Sequence, residues 1–187
     1  MTHSDNAVLN LRVNVLVALY QVIAATRMEG IPLLNPAVQV EAVGFEPVDI
    51  ADDDHATSSN QPAAGVGVLI TPWFMNLIWL PLKHLDHAEA VGSKVLRYIG
   101  PECFEFIGAH ENAFGSYQAC SLFSPVFEFD QHAAAVATAR AVLETLRQPA
   151  RAALAAAPHA PARRAFLFGR GSIAKLPEKG RAEVGHG

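Results

Sequence analysis

Apolar residues recur at helical spacing through the first thirty positions. In DNAVLNLRVNVLVALYQVIAATRMEG, Leu9, Val13, Leu16, Tyr20 and Ile23 fall three or four residues apart. That period predicts an amphipathic helix. Asp5 or Asn6 can cap its start, and Gly30 followed by Pro32 ends it. Val15, Val17 and Val22 widen the apolar face, which predicts a helix buried over most of its surface.

Beyond Pro36 the period shortens to two. In VQVEAVGF, Val38, Val40 and Ala42 would face a core and Gln39 and Glu41 solvent. Residues 46–63 are acidic and rich in turn formers, which predicts a long mobile loop. Its Asp52, Asp53 and Asp54 lack the Gly-centred spacing of a calcium loop and read as solvated carboxylates. The densest apolar run, VGVLITPWFMNLIWLPL, is divided by Pro72 and Pro81, so it falls short of the ~20 residues that span a bilayer. It predicts strands over Val66–Ile70 and Trp73–Leu80. In the second, Trp73, Met75, Leu77 and Trp79 share one face, while Phe74, Ile78 and Leu80 share the other, interrupted by Asn76. Two apolar faces mean either a sheet covered on both sides or a sheet with one binding surface.

Cys103–Ile107 and Tyr117–Leu122 predict a hairpin, with Gly108 and Gly115 near its connection. Asp130 is the predicted cap of a second helix, QHAAAVATARAVLETLRQ. Val136, Ala139, Leu143 and Leu146 line one side of it, and Pro149 marks its boundary. ARAALAAA would add a further turn or two. A helix, then strands, then a helix gives an α+β fold: an antiparallel sheet packed against a long N-terminal helix and a C-terminal helix. One domain is expected over 1–160, followed by a basic, Gly-rich tail over 161–187.

Composition narrows the function classes. With 187 residues, 51 % of them apolar, the chain can bury a real core. A net charge of −4 argues against general attraction to nucleic acid or anionic lipid. Two cysteines, Cys103 and Cys120, are too few and too far apart for a zinc framework. No secretory signal opens the chain, so a cytoplasmic protein with reduced thiols and no stable membrane insertion is expected. His84 and His87 have the i,i+3 spacing that lets two imidazoles share a metal on a helix. Nothing beside them completes a ligand set, so they read as a polar surface turn. Cys120 would need a positioned base to act as a nucleophile and reads as a buried structural thiol. The chain has no phosphate loop, dinucleotide fingerprint, HExxH or GxSxG. It therefore offers no support for an enzyme and implies no cofactor or metal. What stands out is aromatic content inside apolar segments. Trp73, Phe74, Trp79, Phe123 and Phe127 are types that dominate protein contacts, and Met75 adapts to variable partners. The same residues equally make an aromatic core, and the pattern leaves both readings open.

Three blocks, NPAVQVEAVGF, GVLITPWFMNLIWLP and CSLFSPVFEFDQHAAAVATARAVLETL, resemble the [NiFe]-hydrogenase maturation chaperones of the HybE/HupJ type. The similarity runs from about Arg27 to Gly169. It implies a cytoplasmic, non-catalytic chaperone without cofactors, bound to the immature iron–sulphur small subunit, whose precursor carries a twin-arginine signal peptide. The large subunit or other maturation proteins are alternative partners. The candidate partner-binding residues are then Trp73, Phe74, Met75, Asn76, Trp79, Cys120, Phe123, Phe127 and Glu128. The tail contributes Arg163, Arg164, Phe166 and Leu167 in PARRAFLFGRG, whose order resembles a twin-arginine signature. No apolar stretch follows, so it is not an export signal. Either it imitates the cargo's signal inside a receptor groove, or it anchors the tail to the body. The competing class is a redox or metal protein that shields iron–sulphur clusters through Cys120. The absence of a second close cysteine argues against it.

Overall fold

The structure is a computed structural model that describes residues 3–48, 64–82 and 90–148. Helix α1 spans His3–Ala25 and helix α2 His132–Arg147. Between them lie β1 (Glu41–Val48), β2 (Ala64–Ile70), β3 (Met75–Pro81), β4 (Lys94–Ile99), β5 (Glu102–Glu111) and β6 (Gly115–Phe123). They form one sheet in the order β1-β2-β3-β6-β5-β4, and every neighbouring pair is antiparallel. The α+β class, with one helix before the strands and one after them, is the one its periodicity predicts.

Register divides the side chains into two faces. Val66, Val68 and Ile70 of β2 stand opposite Trp79, Leu77 and Met75 of β3. These pack with Phe104, Phe106 and Cys120 against Ala135, Val136, Ala139, Val142, Leu143 and Leu146 of α2. On the other face Leu69, Ile78, Leu80 and Tyr117 pack against Leu9, Leu16, Tyr20 and Ile23 of α1. Both apolar faces of β2 and β3 are therefore covered, which resolves the choice their sequence leaves open. A Cβ on Gly65 would come within 2.3 Å of Leu9 Cδ1, so the small residue lets α1 seat closely.

The sheet curls around α2. At one edge the Arg147 guanidinium donates to the Gly44 carbonyl of β1 and pairs with Glu46 at 2.9 Å. Toward the other edge Gly100, in the turn joining β4 and β5, lies so close to the Leu146 carbonyl that a Cβ would approach to 2.1 Å. Gly100 also takes a positive φ of 59°, and both facts require glycine there.

Several expectations need correction. Trp73 and Phe74 precede β3, in the turn after β2, and both pack on the α1 side. Trp73 thus does not share a face with Met75, because the strand alternation starts only at Met75. The N-cap of α2 is Gln131, without a side-chain cap bond, rather than Asp130. Glu46–Val48, read as the start of a loop, belong to β1; residues 49–63 lie outside the described part. Gly108 sits within β5, while Gly115, with φ 97°, opens β6 just after the hairpin turn. Strand β4, Lys94–Ile99, is an element the sequence pattern does not predict. Helix α1 is less buried than its composition suggests: Leu11, Val15 and Val22 are exposed. Its stretch Asn6–Ala25 is long and apolar enough to cross a membrane by length and composition.

Candidate functional site: a loop cluster at one end of the sheet

Three connections meet where β1 and β3 begin and β6 ends: residues 26–40, 71–74 and 124–131. Asn35 joins them. Its backbone N–H donates to the Pro72 carbonyl at 2.8 Å. Its side-chain amide donates to the carbonyls of Val126 at 2.9 Å and Phe129 at 2.8 Å, while Oδ1 accepts from the Ala37 N–H at 2.9 Å. All three side-chain bonds form in a residue only 7 % exposed. A buried amide with that satisfaction fixes the geometry of its neighbours, because each bond lost leaves a desolvated group unpaired.

Thr71 organises the second connection. Its hydroxyl accepts from the N–H groups of Trp73 at 3.3 Å and Phe74 at 3.0 Å, and the Thr71 N–H donates to the Phe74 carbonyl at 2.8 Å. The turn so formed turns both aromatics toward Tyr20, whose ring lies 6.2 Å from Trp73 and 5.6 Å from Phe74. The Tyr20 and Tyr117 hydroxyls meet at 2.5 Å beneath. Burial raises both phenols above their ordinary range, and for Tyr20 the neighbouring Tyr117 adds to the rise.

The third connection divides inside from outside residue by residue. Val126 and Phe129 are buried, and Phe129 stacks edge-on with Phe123 at 5.2 Å. Phe127 between them is 53 % exposed, and Pro125 and Glu128 are exposed beside it. Ile31 and Leu33, from the connection that Asn35 ties to this one, are exposed as well. The cluster therefore presents large apolar side chains from a rigid support, as a protein-binding surface does.

The nine candidate contact residues divide on this geometry. Trp73, Phe74, Phe123, Phe127 and Glu128 belong to the cluster or its border. Met75, Trp79 and Cys120 are buried under α2 and so are not surface contacts. Their alternation places them on the inner face, and the Arg97 guanidinium covers the Trp79 ring at 4.2 Å. Asn76 is half-buried on the α1 face, its Oδ1 without a partner. Cys103 is paired in register with Tyr98 on the face opposite Cys120, so the two thiols do not meet. An interior Cys120 reaches a cluster in another protein only if α2 lifts away. His84, His87, Arg163, Arg164, Phe166 and Leu167 lie outside the described residues. Among the described residues no three His, Cys, Asp or Glu side chains are placed to share a metal.

Two features escape a reading of local pattern. Asn35 is one; its Asn-Pro step signals a turn but says nothing of its carbonyl partners. The other is an apolar patch on β4 and β5, where Leu96, Tyr98 and Ile107 are exposed on the α1 face beyond the helix's reach.

Comparison with known proteins follows the same blocks. The family model described as [NiFe]-hydrogenase assembly, chaperone, HybE matches residues 11–169. The chain is 50 % identical over 159 residues to protein HoxT of Cupriavidus necator, covering 81 % of this chain and 84 % of that one. It is 34 % identical to the hydrogenase expression/formation protein HupJ of Bradyrhizobium diazoefficiens, covering 80 % and 83 % respectively. The solution structure of HybE from Escherichia coli has the same fold, with a TM-score of 0.50 and 23 % identity over 86 % of this chain and 91 % of that one. The chain belongs to the HybE family of [NiFe]-hydrogenase assembly chaperones.

Proposed function

We propose that the loop cluster around Asn35 receives the immature iron–sulphur small subunit of a [NiFe]-hydrogenase in the cytoplasm, before export. The observation that carries this reading is Phe127, held out at 53 % exposure between two residues anchored in the core. A large aromatic on a pre-organised loop loses little entropy on binding and makes an effective anchor. The chemistry required is burial rather than catalysis: the cluster covers apolar surface that the partner hides only once it is assembled. Affinity capture from cells expressing the precursor, with and without its signal peptide, tests the reading. Recovery of the precursor by the native chain and its loss with Phe127→Ala support it. Equal recovery with Phe127→Ala contradicts it.

Arg163, Arg164, Phe166 and Leu167 enter this reading as a placeholder. The family match extends past α2 and includes them. As a segment resembling the cargo's signal, the tail would compete with it for one site. A tail docked ~90 % of the time masks affinity about tenfold. Deleting the residues after Pro161 should then tighten binding of a twin-arginine signal peptide. Equal or weaker binding at matched folded fraction removes the placeholder and leaves the tail as an anchor.

A further inference from the structure

The outer side of α1 lacks the charges of a helix that faces water. Val8, Leu11, Val15, Ala18, Val22 and Ala25 follow one another at steps of three, four, three, four and three, and all six are exposed. Such steps are the a/d spacing of a seam that packs against another helix. The stripe lies away from Leu9, Leu16, Tyr20 and Ile23, which take the buried side. Between Asn6 and Thr26 the one charged residue is Arg12, and its guanidinium lies over the Phe114 ring at 4.8 Å. At 1.5 Å per residue the seam is about 27 Å long, more than the scattered single exposures of an ordinary surface.

Side-chain size along the seam selects its occupant. Place two copies of α1 antiparallel, with a two-fold axis midway between Val15 and Ala18. Val8 then stands opposite Ala25, Leu11 opposite Val22, and Val15 opposite Ala18. Every layer sets a larger side chain against a smaller one, and all six positions of both copies are used. That is the self-complementarity an isologous contact requires. Neither copy brings a charge that would oppose the pairing. The geometry points to a second copy of this chain, docked antiparallel along α1. One helix pair makes a small interface, so the dimer forms as a concentration-dependent equilibrium.

Sedimentation of the full chain over micromolar to sub-millimolar concentration tests this. The native chain should shift from monomer to dimer. Leu11→Glu should raise the dissociation constant about 30-fold or more and leave unchanged the melting temperature read at the lowest concentration, where the native chain is monomeric, because Leu11 is exposed in the single chain. If Leu11→Glu also perturbs melting, Ala18→Glu reads the same effect at a smaller side chain. Register is read by mixing the Leu11→Cys and Val22→Cys variants under mild oxidation. The mixture should give a disulfide-linked dimer, and each variant alone no more than the native chain with Cys103 and Cys120. Cross-linking of Leu11→Cys with itself means parallel helices and overturns the pairing. A native chain that stays monomeric throughout overturns the proposal, and one that is monomeric but floats with phosphatidylcholine vesicles assigns the seam to lipid instead.

Discussion

The two faces of the sheet are built from the same residue types and treated differently. On the inner face the sheet curls around α2, and its large apolar side chains are nearly all buried. On the outer face α1 covers the residues around Leu69, Ile78 and Leu80, while Leu96, Tyr98 and Ile107 stay in water. A chain that can close one face so completely does not leave the other open for lack of apolar material. The inner face supplies stability. The outer layer and the loop cluster leave apolar side chains exposed. Family membership fits that division, since an assembly chaperone acts by presenting surface.

Leu77 and Leu96 sharpen the contrast most. Leu77 is fully buried under α2, so Leu77→Ala should cost about 3–4 kcal/mol through lost burial and a cavity. Leu96→Ala should stay within about 0.5 kcal/mol. Chemical denaturation of the two variants checks both values. Comparable losses would mean that the outer patch is covered in solution.

Asn35 comes next. Asn35→Ala leaves the Val126 and Phe129 carbonyls and the Ala37 N–H without their partner. A loss of about 2–3 kcal/mol is expected. Asn35→Asp should cost as much, because a carboxylate cannot donate to the two carbonyls. Denaturation midpoints read the stability change, and hydrogen exchange at Ala37 shows whether it is local.

The Tyr20–Tyr117 pair gives a smaller effect with a defined sign. Both phenols are pushed above the ordinary value of 10 by burial. Below pH 10 the folded and unfolded chains hold the same phenolic protons, and the pair's contribution is fully present. Above it the unfolded phenols ionise while the folded pair resists, so the contribution is lost as pH rises. The slope is up to about 1.4 kcal/mol per pH unit for each tyrosine. Tyr20→Phe with Tyr117→Phe should flatten that alkaline slope in a melting series from pH 8 to 11. An unchanged slope would mean that the phenols are open to water.

Much of this was legible in the chain. The helical period of Leu9 to Ile23, the two apolar strands and the α2 stripe each lie within a few residues, where pattern is a direct consequence of burial. Strand β4 was not. In KVLRYI, Val95 and Ile99 alternate with Leu96 and Tyr98, so both parities are apolar, while the charged Arg97 points inward over Trp79. No alternation survives to mark a face. Trp73 departs from the expected face because Thr71 holds it in a turn outside the strand, where the strand's alternation does not apply. Asn35 leaves no local signal, because its carbonyl partners lie 91 and 94 residues away. At the candidate site the blocks that carry the family resemblance contain most of the loop cluster, from Asn35 onward. They could not say which aromatics were core: Trp79 and Phe127 look alike in sequence and differ in burial only because α2 covers one.

The most direct test is binding of purified small subunit precursor to the native chain and to Phe127→Ala at matched folded fraction. A partner site anchored by Phe127 predicts a melting temperature within a degree or two and an affinity at least about 30-fold weaker. Unchanged affinity with an unchanged melt would contradict it and move the partner surface off the loop cluster.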